Sequence, residues 1–108
     1  MRVASLEARQ VLHHVDGSTV VVRTSGALID GVLVELSPRE CEVVSLLLRR
    51  PGTVVPKREL LEEVWHGAAD LHAVEAAINR LRRRLTGTAI QVDTVPKRGY
   101  RLIRGAPS

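Results

Sequence analysis

Aromatic side chains are nearly missing from this sequence. Trp65 and Tyr100 are the only two in 108 residues, and there is no Phe, so the core must be built from aliphatic side chains. Cysteine is reduced to Cys41, which excludes an intramolecular disulfide and fits a reducing compartment. Cys41 itself reads as a small buried hydrophobe, not a nucleophile. No apolar run approaches the roughly 18–20 residues of a membrane span, and the N-terminus lacks a signal-peptide pattern, so a soluble, cytoplasmic protein without membrane contact is expected. A glycine-rich phosphate loop, a Ser/His/Asp set and metal-ligand spacing are lacking too. His13 and His14 are adjacent and point to opposite faces of a strand; His66 and His72 have no Cys or carboxylate grouping to complete a site. No catalytic residue, metal or cofactor is expected, and nothing supports an enzyme.

The length fits one domain, able to bury roughly 60–70 % of its unfolded surface. Apolar content of 44 % beside 26 % charged residues is ordinary for a globular protein. The net charge of +4 is unevenly placed: residues 1–69 hold eight Lys/Arg and nine Asp/Glu, residues 70–108 eight and three. A C-terminal part at +5 against −1 for the rest points to a polyanionic partner.

Residues 1–36 read as strands. Val11–Val15 and Thr19–Arg23 flank Asp16-Gly17, and Ala27–Ile29 and Val32–Leu36 flank Asp30-Gly31; Asp-Gly between β-branched runs is a strong hairpin signal. A four-stranded antiparallel meander is expected, with helix as a competitor over residues 3–10. Ser37-Pro38-Arg39-Glu40 then carries an N-cap, a first-turn proline and the third-position glutamate of a capping box. Cys41, Val44, Leu47 and Leu48 supply this helix's buried stripe, Arg49-Arg50 sit at the negative end of its dipole, and Pro51-Gly52 stops it. A second helix is expected from about Lys57 to Trp65, with Leu60, Leu61 and Val64 on its core side. Only five or six residues separate it from a third helix, a helix-turn-helix-like spacing. The 1–36 sheet and the 37–108 core belong to one domain on this reading.

That third helix, His72 to Leu85, is the most informative stretch. Val74, Ile78, Leu81 and Leu85 share one side, His72, Asn79 and Arg83 the other, with Arg80 and Arg82 flanking. Asp70 is its expected N-cap. Ala73, Ala76 and Ala77 keep the rest short enough for close approach to another surface. A greasy side that anchors and a basic, hydrogen-bonding side that is displayed suit entry into a DNA major groove; a solvated surface helix has the same pattern. After Thr86-Gly87-Thr88, Ile90–Val95 and Tyr100–Ile103 form a hairpin around Pro96-Lys97-Arg98-Gly99, two cations at a tip beside a basic helix. Gly105–Ser108 reads as a frayed end. Trp65 is expected half-buried, its indole N–H within reach of a phosphate.

Residues 36–102 resemble the effector domain of OmpR/PhoB-type winged helix-turn-helix regulators. The resemblance rests on the L-S-x-x-E helix start, the P-G-x-V-V connector, E-L-L-x-x-V-W, R-L-R-x-x-L and the terminal R-G-Y-R-L. It implies an α+β fold, with a four-stranded N-terminal sheet, three helices and a C-terminal β-hairpin wing. It also implies sequence-specific binding of double-stranded DNA in transcription control, with the helix at 72–85 in the major groove and the hairpin at 94–101 on the minor groove or backbone. Carried over by position, His72, Asn79, Arg80 and Arg82 become recognition contacts, Thr94, Arg98 and Tyr100 wing contacts, and Trp65 lies near a phosphate. Departures exist: His72 stands where Arg is usual, Ala77 where a polar residue is usual, Pro56 where Ser or Thr caps the second helix, and Pro96 where response regulators often carry Arg. The wing is closer to CadC/ToxR-type regulators.

A narrower similarity, D-x-H-A-V-E-x-A-x-x-R-L-R with V-x-K-R-G-Y-R-L, is to the C-terminal domain fused to uroporphyrinogen-III synthase in actinobacterial regulators. It implies an excised domain of a larger protein. The alternative function is then a protein-interaction winged helix appended to that enzyme. RNA polymerase, and a second copy on repeated half-sites, are the further partners implied.

Overall fold

The computed structural model describes residues 12–50 and 52–105. The helical alternative for residues 3–10, Val11, Pro51 and the tail beyond Gly105 lie outside them. The described chain runs β1 (Leu12–Val15), β2 (Ser18–Val22), β3 (Gly26–Ile29), β4 (Val32–Glu35), α1 (Pro38–Leu48), α2 (Lys57–Trp65), α3 (Leu71–Leu85), β5 (Ile90–Val95) and β6 (Gly99–Arg104). The first four strands form an antiparallel meander in sequence order, and β5 and β6 form a separate hairpin. This is the expected α+β winged arrangement, with strand and helix ends displaced by about one residue.

Local chemistry explains the elements. Asp16 and Gly17, and again Asp30 and Gly31, all take positive φ, as two-residue hairpin turns that match strand twist require. Asp30 is further held by the Thr19 backbone N–H, which donates to its carboxylate at 2.9 Å and depresses its pKa. At the head of α1 the capping box closes in both directions: Glu40 N–H donates to Ser37 Oγ at 3.1 Å and Ser37 N–H to Glu40 Oε1 at 2.8 Å. The helix ends at Leu48, and Arg49 and Arg50 reach across to Glu63 and Glu59 of α2 at 3.5 and 3.4 Å. Their positions bind one helix to the next and lie past the last helical turn.

One aliphatic core underlies all of this. Val15, Val20, Ala27 and Ile29 of the meander meet Val43, Leu46, Leu47 and Leu48 of α1, Leu60 and Val64 of α2, Val74, Ile78, Leu81 and Leu85 of α3, and Val92 and Leu102 of the hairpin. Cys41 is buried in it, its thiol 3.9 Å from the Gly26 carbonyl; burial pushes the thiol pKa up, which keeps it an inert apolar group.

The hairpin is fastened to the helices at one backbone joint. Val55, in the connector between α1 and α2, exchanges two hydrogen bonds with Tyr100, at 2.7 and 3.0 Å. The approach is so close that Gly99 has no room for a side chain: a Cβ there would lie 2.1 Å from the Val55 oxygen.

Candidate nucleic-acid interface

α3 is positioned by its two ends and one face. Asp70 in extended conformation caps it, its carboxylate accepting from Ala73 N–H at 3.1 Å. Arg82, Arg83 and Arg84 occupy the last turn, where the helix dipole favours cations. Val74, Ile78, Leu81 and Leu85 are buried as their spacing demands. At roughly 1.5 Å per residue the helix spans about two major-groove widths.

Its outward side displays His72, Ala76, Asn79, Arg80 and Arg83, all exposed. His72 is 91 % exposed in its side chain, with Nδ1 3.7 Å from Glu75 Oε1. Among the described residues Arg80 and Arg83 make no ion pair or side-chain hydrogen bond, and with Arg84 they rim one shallow depression. Arg84 is different, pairing at 3.3 Å with the buried Glu40 of α1.

The hairpin lies against the C-terminal half of this helix. Its tip, Pro96-Lys97-Arg98, is exposed; Lys97 takes φ +63 and Arg98 N–H closes the turn onto Val95 O at 3.0 Å. Arg101 and Asp93 pair across the strands at 2.8 Å. Beneath the tip, Pro56 and Lys57 at the start of α2 join Thr94 to Gly99 around a second hollow. The α2 N-terminus has Pro56 at its cap and no side-chain cap hydrogen bond, so its free N–H groups form an electropositive edge there.

Of the ten candidate residues, the structure joins several directly. Arg82 donates to Asn79 Oδ1 at 3.4 Å, to the Val92 carbonyl at 3.2 Å and to Thr94 Oγ1, and its guanidinium sits 5.9 Å from the Tyr100 ring centre. Arg82 is therefore half-buried between helix and hairpin, unlike the freely displayed side chain its place in the motif implies. Tyr100 departs further from the expected wing contact. It is 4 % exposed, with Lys57 Nζ on it at 5.8 Å: a hub inside the wing joint. Trp65 is half-buried as expected, but its ring faces α1, where Arg39 stacks over it at 5.1 Å. Ala77 is 1 % exposed, so it belongs to the core and not to the groove-facing side.

Lys57 is a residue that sequence reasoning passed over. Its ammonium pairs with Glu75 of α3 at 2.8 Å, which raises the lysine pKa and lowers that of the glutamate. It ties the two helices together at the edge of the wing hollow. A lysine at the start of a helix carries no local sign of such a partner eighteen residues on.

Residues 31–102 match the family described as transcriptional regulatory protein, C terminal. The transcriptional regulatory protein CutR of Streptomyces coelicolor is 39 % identical over 75 residues, covering 68 % of this chain and 34 % of its own length. The response regulator protein PmrA of Pseudomonas aeruginosa is 34 % identical over 86 residues, covering 78 % and 38 %. The chain thus spans about a third of the length of these curated relatives. Among solved structures, the DNA-binding domain of Escherichia coli CadC superposes with a TM-score of 0.70 at 26 % identity, covering 89 % of this chain and 95 % of that one. The DNA-binding domain of E. coli CpxR gives 0.69 at 29 % identity, covering 89 % and 99 %.

Proposed function

The chain belongs to the family of transcriptional regulatory protein C-terminal domains, and from that premise we propose that it reads double-stranded DNA as the sequence-specific binding domain of a transcriptional regulator. The observation that carries this is the exposed pair Arg80 and Arg83 on α3, without a side-chain partner among the described residues and set beside a cationic hairpin tip by the Arg82 link. α3 enters the major groove, where Arg80 and Arg83 offer forked donors to guanine, Asn79 an amide to a purine edge and Ala76 a methyl-sized contact. His72 lies at the N-terminal end of that face. The wing at 94–101 lies on the minor groove or backbone, where Thr94, Lys97 and Arg98 meet phosphates; Tyr100 shapes it from within, and Trp65 stands at the backbone end of α2.

One helix and one wing cover about half a turn of DNA, so two copies on repeated half-sites are needed for useful specificity. The outer face of the meander supports a role in contacts with a second copy or RNA polymerase. A register-matched row, Leu12, Val21, Leu28 and Leu33, crosses all four strands, with Leu12 and Leu33 exposed at its ends. The domain then acts in the cytoplasm, and the narrower motif similarity supports attachment to a uroporphyrinogen-III synthase-like domain in a longer chain. Ala77 lends the protein-contact alternative no support, since that side chain faces the core.

The test is a salt-titrated binding assay on random duplex, followed by selection of bound sequences. Tight, salt-sensitive binding that enriches a direct repeat is the expected result. Arg80→Ala and Arg83→Ala should each cost about 1–3 kcal/mol of discrimination on the selected site. A folded domain that binds no duplex at low salt would overturn the reading.

A further inference from the structure

Arginine in the middle of a basic helix invites the assumption that it reaches the DNA. The geometry points to another task for Arg82, one that rests on the DNA-binding reading above: we infer that Arg82 is a positioning residue, which locks the wing to the recognition helix and sets the orientation of Asn79. A guanidinium has five N–H donors arranged as a rigid fork. In Arg82, the edge formed by Nε and Nη2 is directed into β5, to the Val92 carbonyl at 3.2 Å and to Thr94 Oγ1. Nη1 points along the helix to Asn79 Oδ1 at 3.4 Å. The plane is backed by the Tyr100 ring, itself fixed by the Val55 joint. One full edge of the fork, one of those a bidentate grip on guanine can use, is spent on the hairpin, and Nη1 of the other edge is turned to Asn79.

Two consequences follow. The angle between the wing and α3 is set at this residue, so Lys97 and Arg98 reach the DNA backbone only when the Arg82 link is in place. Asn79 has its carbonyl oxygen drawn toward Arg82, which turns its NH₂ group outward. It is presented as a donor, suited to purine N7, guanine O6 or thymine O4.

The experiment is a mutant cycle on the intact chain, with affinity measured on its selected duplex. The variants are Arg82→Met, Arg82→Lys, the Lys97→Ala/Arg98→Ala pair, and the combination of that pair with Arg82→Met. Arg82→Lys keeps the charge but cannot fork, so it should lose affinity about as much as Arg82→Met. Removing the tip cations should cost about tenfold less in the Arg82→Met background than in the parent, a coupling typical of groups acting through one another. Selected sequences should degrade at all positions of the half-site. Rescue by Lys, additive losses, or a change confined to one base pair would each overturn the positioning role and restore Arg82 as a direct contact.

The nitrogen-15 resonance of Arg82 Nε in the free domain supplies a readout independent of binding. A slowly exchanging Nε–H that keeps its shift when duplex is added is expected; a rapidly exchanging one would also overturn the inference. If the parent chain binds no DNA, the functional reading fails while this signal still reports on the strut.

Discussion

Gly99→Ala is the sharpest perturbation of the wing joint. The new methyl would lie 2.1 Å from the Val55 oxygen, 2.7 Å from its carbonyl carbon and 2.8 Å from Pro56 Cα. All three are backbone atoms, so no side-chain rotation relieves the clash, and the hairpin has to lift from the connector. That movement breaks the two Val55–Tyr100 hydrogen bonds, worth about 0.5–1.5 kcal/mol each. Alanine at φ +146 adds a strain of about 1–3 kcal/mol. The loss should therefore be about 2–6 kcal/mol, a large share of the roughly 5–15 kcal/mol that holds a domain of this size. Urea unfolding should show a lower midpoint at an unchanged slope, and the melting temperature should fall by roughly 10 °C or more. DNA affinity should drop as well in the fraction still folded, since the displaced wing carries Lys97 and Arg98. A loss below about 1 kcal/mol, with Tyr100 still buried, would show that the joint yields easily and refute the reasoning.

Three further outcomes are expected. Ser37→Ala opens one side of the capping box and should cost about 0.5–2 kcal/mol in urea unfolding without altering the salt dependence of binding, because the Ser37 hydroxyl bonds only within its own helix start and no cation is removed. Glu75→Gln removes the Lys57 pair, which draws in His72 and Tyr100 as its charged and titratable neighbours. The folded Glu75 pKa lies below its ordinary 4.5 and that of Lys57 above its ordinary 10.5, so the pair stabilises between those values, fading as pH falls through the first or rises through the second. Parent and variant stabilities should then differ near pH 7 and converge in acid; a constant gap would deny the pair its role. Lys97→Ala and Arg98→Ala should weaken binding to every duplex and flatten the slope of log K against log salt by about 0.9 for each phosphate no longer neutralised, with an unchanged slope counting against the wing.

What is legible in the sequence is whatever is local. The Ser37 box, the Asp70 cap and the two Asp-Gly turns each consist of residues within four positions of one another, and each forms where its own residues demand it. Periodicity carries α3's buried stripe as well, and Ala77 is in it: it stands three after Val74 and four before Leu81, on the same face. Its small size, and likeness to a motif that carries a polar residue there, are what group it with Ala73 and Ala76 on the approach side. Arg82 and Tyr100 are another matter. Arg82 finds its acceptors ten and twelve residues later, on a strand whose approach depends on the Val55–Tyr100 joint, itself forty-five residues across. A sequence pattern reports which residues are basic and on which side of a helix, but whether a guanidinium is still free to reach DNA depends on which acceptors the rest of the fold brings to it. Among the described residues the α3 arginines left without a side-chain partner are Arg80 and Arg83, so on the proposed reading specificity rests on them and on Asn79, while Arg82 between them holds the wing to the helix.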